Sequence, residues 1–126
     1  MNSELRKAIY NLGKNITGLN GGFWYIEAPQ KTPFPYAVFS FVSNPFSRDT
    51  ASKFEDYYLQ INIYDKSASN IETIKYNFTN TFDDSESNFS LNSWLFERIE
   101  RQFAIGRKID KTFMISLQYK IELTKK

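Results

Sequence analysis

The chain has 126 residues, no cysteine and no histidine, and its 16 basic and 14 acidic residues leave a net charge of +2. This length fits a single domain, residues 1–126, built around one core. The missing residue types exclude a disulfide framework, a thiolate zinc site and a thiol nucleophile, and they remove the commonest general base. Since neither charge sign forms a long block, charge indicates no nucleic-acid or membrane surface.

The core material is unusually aromatic. Twelve Phe and eight Tyr raise the aromatic content to 17%, so we expect an interior built mainly from rings, with exposed rings available for protein contacts. The first 14 residues are amphipathic with charges of both signs, unlike a signal peptide or a membrane span. We therefore expect a soluble, unprocessed protein made in a reducing cytoplasm.

The N-terminal residues predict a helix. Ser3 can cap it and Glu4 suits its positive end. Glycines weaken the helix progressively, so it should end between Asn15 and Gly18. Its predicted buried stripe is Leu5, Ala8, Ile9, Leu12 and Ile16.

Two strands are predicted next. Residues 23–29 are β-branched and aromatic and are followed by proline, which is typical of a short edge strand. Pro33 and Pro35 then force an extended approach to residues 36–43. That segment is apolar on both sides, as in a central strand covered by a helix on one face and by sheet or a neighbouring subunit on the other.

A polar connection follows at residues 44–56. Its composition favours a surface loop. Phe46 and Phe54 argue for a contact instead, because a solvated loop gains nothing from two phenylalanines.

The clearest strand and helix lie in residues 57–78. Tyr57, Leu59, Ile61 and Ile63 alternate with polar residues, as in a half-buried strand. Apolar residues then recur at helical spacing, and Ser69 and Glu72 stand at capping-box spacing where the pattern changes. The helical stripe consists of Ile71, Ile74, Phe78 and Phe82.

Residues 94–105 fit either a helix or a bulged strand. Residues 113–123 alternate almost perfectly, and so long a strand needs a long antiparallel neighbour. We therefore interpret residues 94–105 as that partner, with the hairpin tip in residues 106–111. The predicted fold is α+β: a mixed, mainly antiparallel sheet with an N-terminal helix and one central helix packed on it, ending in a long β-hairpin.

The sequence contains no combination of residues that would form a catalytic site. The glycines of residues 18–22 follow a helix rather than a strand and lack the lysine of a phosphate loop. The acidic residues 83–86 lack the pattern of a calcium loop. Glu97 and Glu100 would point to opposite faces of a strand, so cross-strand links to Lys120 and Glu122 are the better interpretation. We predict no enzyme activity, no metal and no cofactor.

Two packing motifs nevertheless resemble the tail completion or tail terminator proteins of long-tailed bacteriophages, which join the tail to the head. One is a proline-containing strand entry, and the other is an alternating strand that runs directly into a helix. The first motif is Pro33, Pro35 and Tyr36; the second is Leu59, Ile61, Ile63, Tyr64, Asp65, Lys66 and Ser67. The likeness spans residues 5–123, although residues 44–56 and 83–91 do not match residue by residue.

The resemblance implies a structural virion protein located in the neck, at the top of the tail, and assembled in the cytoplasm of the bacterial host. It implies a homo-oligomer, a hexameric ring, that caps the tail tube protein and meets the head-completion or connector proteins. DNA would pass through the ring without sequence-specific binding, and no membrane would be involved. Phe46, Arg48 and Phe54 are then candidates for contacts with the tail tube or a ring neighbour.

Two alternatives stay open at this point. One is a small α+β domain that binds a ligand in an aromatic pocket, which requires a largely preformed cavity. The other is a different neck component, such as a head-completion protein.

Overall fold

The computed structural model describes residues 3–42 and 53–126, together with the backbone of residues 46–47. Its elements in chain order are α1 (Ser3–Gly13), β1 (Phe23–Tyr25), β2 (Tyr36–Phe41), β3 (Phe46–Ser47), β4 (Phe54–Asp65), α2 (Ala68–Phe82), a 3-10 turn (Glu86–Asn88), β5 (Trp94–Ile109) and β6 (Thr112–Lys125).

The strands form one mixed sheet in the order β1-β2-β4-β6-β5, and the short β3 also pairs with β4. β1 runs parallel to β2, whereas every other pairing is antiparallel. The chain closes with the long β5–β6 hairpin. The predicted α+β fold is confirmed.

The two helices cover one face of the sheet and close the core there. β4 contributes Leu59, Ile61 and Ile63 to this face, and all three side chains are fully buried. α2 adds its predicted stripe, and β6 adds its odd-numbered residues. The expected interior built mainly from rings is wrong, because seven of the 22 residues of this cluster are aromatic whereas Ile and Leu together supply 14. The rings Phe23, Phe39, Phe78, Phe82 and Tyr119 are among its largest members.

The sequence overestimates the length of α1. The helix ends at Gly13 rather than between Asn15 and Gly18. The ring of Phe23 lies so close to Gly13 that a Cβ there would be 2.3 Å from its Cε2 atom. Ile16 still reaches the core, but from the turn that follows the helix.

The start of α2 also differs from the prediction. Ser67, in an extended conformation, is the N-cap, and its Oγ accepts a hydrogen bond from the backbone N–H of Asn70 at 3.2 Å. Ser69 lies inside the first turn, so the capping box predicted there is wrong. The buried carboxylate of Asp65 supports the junction because it accepts from the backbone N–H of Lys66 and from Asn70 Nδ2, both at 2.7 Å.

The polar connection is shorter than predicted. β4 begins at Phe54 rather than at residue 57, and β3 interrupts the segment at residues 46–47. The backbone of Phe46 lies opposite Asp56. The earlier start of β4 follows from β6, which is long enough to pair with β4 as far as Phe54.

The strand interpretation of residues 94–105 is confirmed, and the tip lies within the predicted residues 106–111, although the turn is shorter than that range. β5 continues to Ile109, and the turn consists of Asp110 and Lys111, with Asp110 at φ +55°. Two register shifts, at Phe96/Arg98 and at Arg101/Phe103, bend the strand. Each bulge interrupts the regular alternation of side chains between the two faces of the strand. This interruption explains why the sequence of residues 94–105 fits either a helix or a strand.

The assignment of Ser67 as the N-cap of α2 can be tested by measuring the stability of variants. Replacing Ser67 with Ala removes the acceptor for the N–H of Asn70, and we expect a loss of about 1 kcal/mol in the free energy of unfolding. Ser69→Ala is the matched control and should cost less than about 0.5 kcal/mol. Urea unfolding of the two variants measures both. A larger loss for Ser69→Ala would contradict the assigned helix start.

Candidate interaction surfaces

The face of the sheet opposite the helices is open. It carries the even-numbered residues of β4 and β6, which are mostly polar and half-buried. Three regions on this face have distinct chemistry: an apolar end, a band of balanced charge, and an aromatic cleft.

The apolar end contains part of the predicted contact site. Phe54 begins β4 and lies opposite Thr124 of β6, which lies opposite Leu95 of β5 on its other side. Val42, whose N–H donates to the carbonyl of Tyr58 at 3.0 Å, follows β2 at the same end. Val42 and Leu95 are about half exposed. We call Val42, Phe54 and Leu95 the apolar end.

The structure brings the backbone of Phe46 to this end of β4 through the β3–β4 pairing. Arg48 lies outside the described residues. Val42 and Leu95 were missed as surface residues, because apolar residues in a strand were assigned to a covered face. Their positions relative to β4 and β6 could have identified them once the pairing register was known.

Next to the apolar end lies a band of four charged residues. In the register, Arg98 faces Glu122 and Glu100 faces Lys120. An ion pair joins Arg98 to Glu100 along β5 itself. With two charges of each sign the band is neutral, and exposed pairs of this kind contribute little to stability.

The aromatic cleft, of about 550 Å³, lies between the loop of residues 26–34 and the open face. The motif residues Tyr36 and Tyr64 stack on its floor with ring centroids 5.0 Å apart, and Phe34 lies 5.5 Å from Tyr36. Burial, and secondarily the neighbouring Tyr36, raise the pKa of the Tyr64 hydroxyl. The motif is thus divided between two faces, since Leu59, Ile61 and Ile63 point into the core while Tyr36 and Tyr64 line the cleft.

The side-chain amide of Asn62, at the centre of the cleft, is already engaged. Asn62 Oδ1 accepts hydrogen bonds from Ser116 Oγ at 2.7 Å and from Gln60 Nε2 at 3.1 Å. Both bonds connect neighbouring side chains of the sheet. The cleft therefore has a fixed floor whose central amide acts as a structural link.

The acidic residues 83–86 attach β5 and β6 to the end of α2. Tyr119 is fully buried and donates its hydroxyl to Asp83 Oδ1 at 2.7 Å, while Arg101 lies 3.4 Å from Asp83 Oδ2. Burial first, and then the hydrogen bond to Asp83, raise the pKa of Tyr119. Glu86 Oε1 accepts from the N–H of Ile99 at 3.1 Å.

Asp83 and Glu86 therefore have structural partners. Across residues 3–42 and 53–126, no group of three or more acidic, histidine or cysteine side chains could hold a metal ion. In the same residues, neither helix has the length and apolar character required to cross a membrane.

Comparisons with known proteins identify the fold. The sequence matches no protein-family model and has no significant match among curated proteins. The structure is similar to a chain of a solved assembly described as "Virion of native gene transfer agent (GTA) particle", with a TM-score of 0.72. The similarity covers 95% of this chain and 94% of that chain at 12% sequence identity, so it establishes a shared fold.

The Tyr119–Asp83 hydrogen bond gives a second stability test. Tyr119→Phe removes a buried hydroxyl bonded to a carboxylate, and we expect a loss of about 2 kcal/mol in the free energy of unfolding. Tyr76→Phe, at a side chain 62% exposed on α2, is the control and should change stability by less than about 0.5 kcal/mol. Equal losses in chemical denaturation would show that the buried contact does not stabilise the fold.

Proposed function

We propose that this chain is a structural protein of a phage-like virion, located at the top of the tail. It assembles there as a hexameric ring, caps the tail tube and joins the tail to the head-completion proteins. The observation that carries this proposal is the fold shared with the gene transfer agent particle over nearly the full length of both chains. The sequence motifs support the narrower tail-completion role through the resemblance described above.

The architecture suits a ring subunit. The sheet is rigid because the 12-residue β4 pairs along its whole length with β6. Within the described residues, each outer strand, β1 and β5, has one edge that pairs with no further strand. Edges of this kind are sites at which protein copies associate. Capping and joining require no reaction, so no catalytic group is needed for this role.

Passage of DNA is compatible with the charge distribution. The net charge of +2 is small and the band on the open face is neutral. A strongly basic channel would hold the duplex through its phosphates. A nearly neutral subunit would let DNA pass without sequence-specific binding.

The tail-tube contact is assigned to Phe46, Arg48 and Phe54. Support comes from the apolar end, where Val42 and Leu95 add exposed apolar surface beside Phe54. The ring neighbour is the other candidate for the same residues. In either case the contact would bury a patch that is unfavourable in water.

Ligand binding is supported less well. The aromatic cleft is the region that favours it, but its two tyrosines stack on each other and its amide already bonds two side chains. A ligand would have to displace these contacts. Assembly through the apolar end would use Val42 and Leu95, which are about half exposed.

Electron microscopy of the purified chain tests the ring. We expect rings with six-fold symmetry, because closed rings arise when one subunit contact repeats around an axis. Particles of monomer size at every concentration, together with monomers in sedimentation and no binding to tail tubes, would contradict the proposal.

Replacing Phe46 and Phe54 together with Ser tests the tail-tube contact. We expect the double variant to fold but to yield separate heads and tails instead of joined particles, because the apolar contact is lost. Circular dichroism checks folding, and particle yield from a strain lacking the native gene measures joining. Tyr76→Ser, on the outer surface of α2, is the control and should join normally. An unchanged yield from the double variant would exclude this assignment.

A further inference from the structure

Gly106 occupies a position where none of the described residues requires a glycine. It lies in the interior of β5, where glycine weakens a strand because it lacks a side chain to pack and has more conformational freedom to lose. Its backbone does not need a positive φ, and an added Cβ would meet Ile115 Cγ1 at 3.7 Å, an ordinary contact. A glycine inside a strand often marks the close approach of another backbone.

The surroundings of Gly106 are open. We call residues 104–109 of β5 the arm; all six are exposed. Ile105 and Ile109 are 50% and 53% exposed on the open face. On the helix side, Gly106 lines an apolar groove of about 390 Å³ with Ile71, Phe113 and Ile115 among its walls. The outer edge of β5 carries no further strand in the described sheet.

Ile26, next to β1 at the opposite edge of the sheet, has an unusual backbone conformation. It follows β1 directly and has φ +71°, a left-handed conformation that is unfavourable for a β-branched residue. Its side chain is 62% exposed, so burial within the subunit offsets little of that cost. The conformation is held by the N–H of Ile26, which donates to the carbonyl of Phe39 at 2.8 Å. Strained residues of this kind persist only where the surrounding structure holds them, and they cluster at functional sites.

We propose that these two anomalies are the two halves of one contact between copies of this chain. The arm of one copy packs along the β1 edge of the next, with Gly106 admitting the backbone and Ile105 and Ile109 covering Ile26 and Trp24. The contact rests on the proposed function, which specifies a ring but not the surfaces that build it.

Charge complementarity supports this pairing. Arg107 and Lys108 flank Gly106, and Lys111 lies in the turn, so the end of the hairpin is basic despite Asp110. The exposed Glu27 follows Ile26 on the opposite edge. Contact between the edges therefore brings Glu27 close to the basic arm, while Arg6, which lies over the Tyr25 ring of β1, adds one positive charge on the same edge.

The position of the two patches determines the kind of assembly. They lie on opposite edges of one sheet, so the contact joins different surfaces and each new copy offers the same free edge again. Such a heterologous contact produces a ring when the rotation closes.

Single variants separate association from folding. Gly106→Val fills the space above Ile115 and favours the strand, while Ile26→Asn accepts a positive φ more readily. We expect both variants to unfold at the wild-type temperature or above it and to sediment as monomers where the wild type forms rings. Ile105→Ser should also be monomeric. Tyr76→Ser, at a side chain 62% exposed on α2 and outside both proposed contacts, is the control and should keep the rings.

Mixing the two defective variants is the decisive experiment. Gly106→Val retains an intact β1 edge and Ile26→Asn retains an intact arm, so an equimolar mixture should form one productive contact and stop at heterodimers. Sedimentation of the separate and mixed variants measures this. Monomers in the mixture, or rings in either variant alone, would overturn the contact. If both variants still formed rings like those of the wild type, the proposed virion function would be unaffected, but the contact between subunits would have to lie elsewhere.

Discussion

The antiparallel pairing of β4 with β6 is the constraint on which the rest of the structure depends. It runs from Phe54 opposite Thr124 to Asp65 opposite Phe113 without interruption. Because side chains alternate along both strands, this register directs Leu59, Ile61 and Ile63 towards the helices together with the odd-numbered residues of β6. A slip of one residue would exchange the core face for the polar one.

Aromatic contacts then fix α2 across this pair of strands. Phe23 lies 4.7 Å from Phe39 and 5.7 Å from Phe78, whose ring stacks with Phe82 at 6.1 Å. Phe82 in turn lies 6.0 Å from Tyr119 on β6. The rings thus connect β1 to β6 through α2, and pairs of this geometry stabilise a core beyond the area that they bury. The result is a subunit whose helices cover one face and leave the other face and both sheet edges available for assembly.

This division of surfaces links the fold to the proposed role. A connector in a virion must hold its shape and present different contacts to its own copies and to other proteins. Here the apolar end containing Phe54 is separate from the arm around Gly106, since the two lie at opposite ends of the β5–β6 hairpin. A tube contact and a ring contact can therefore form on one subunit at the same time.

The regular part of the fold could be predicted from the sequence because it follows from periodicity. The alternation in β6 and the three-and-four spacing in α2 predict a strand and a helix, and both are present. Competing local interactions explain the errors: Ser67 caps α2 ahead of Ser69, and the turn at Asp110 leaves β5 longer than the predicted partner strand. Parallel pairing of β1 depends on contacts distant in sequence, which no local pattern reports.

The candidate contact surfaces were less predictable. Phe46 and Phe54 were visible as apolar residues in a polar segment, but Leu95 becomes a surface residue only through its register with Thr124. Gly106 looked like part of a turn, and Ile26 like an ordinary strand residue. Their significance comes from the space around one and the backbone angle of the other, which only the folded chain reveals.

The central claim, that this chain ends the tail tube, is tested most directly by tube length. Tail tube protein assembled with and without this chain can be measured tube by tube in electron micrographs. The account predicts shorter tubes with a ring at one end when the chain is present, and longer tubes of variable length when it is absent. Identical length distributions, with no ring on any tube end, would contradict it.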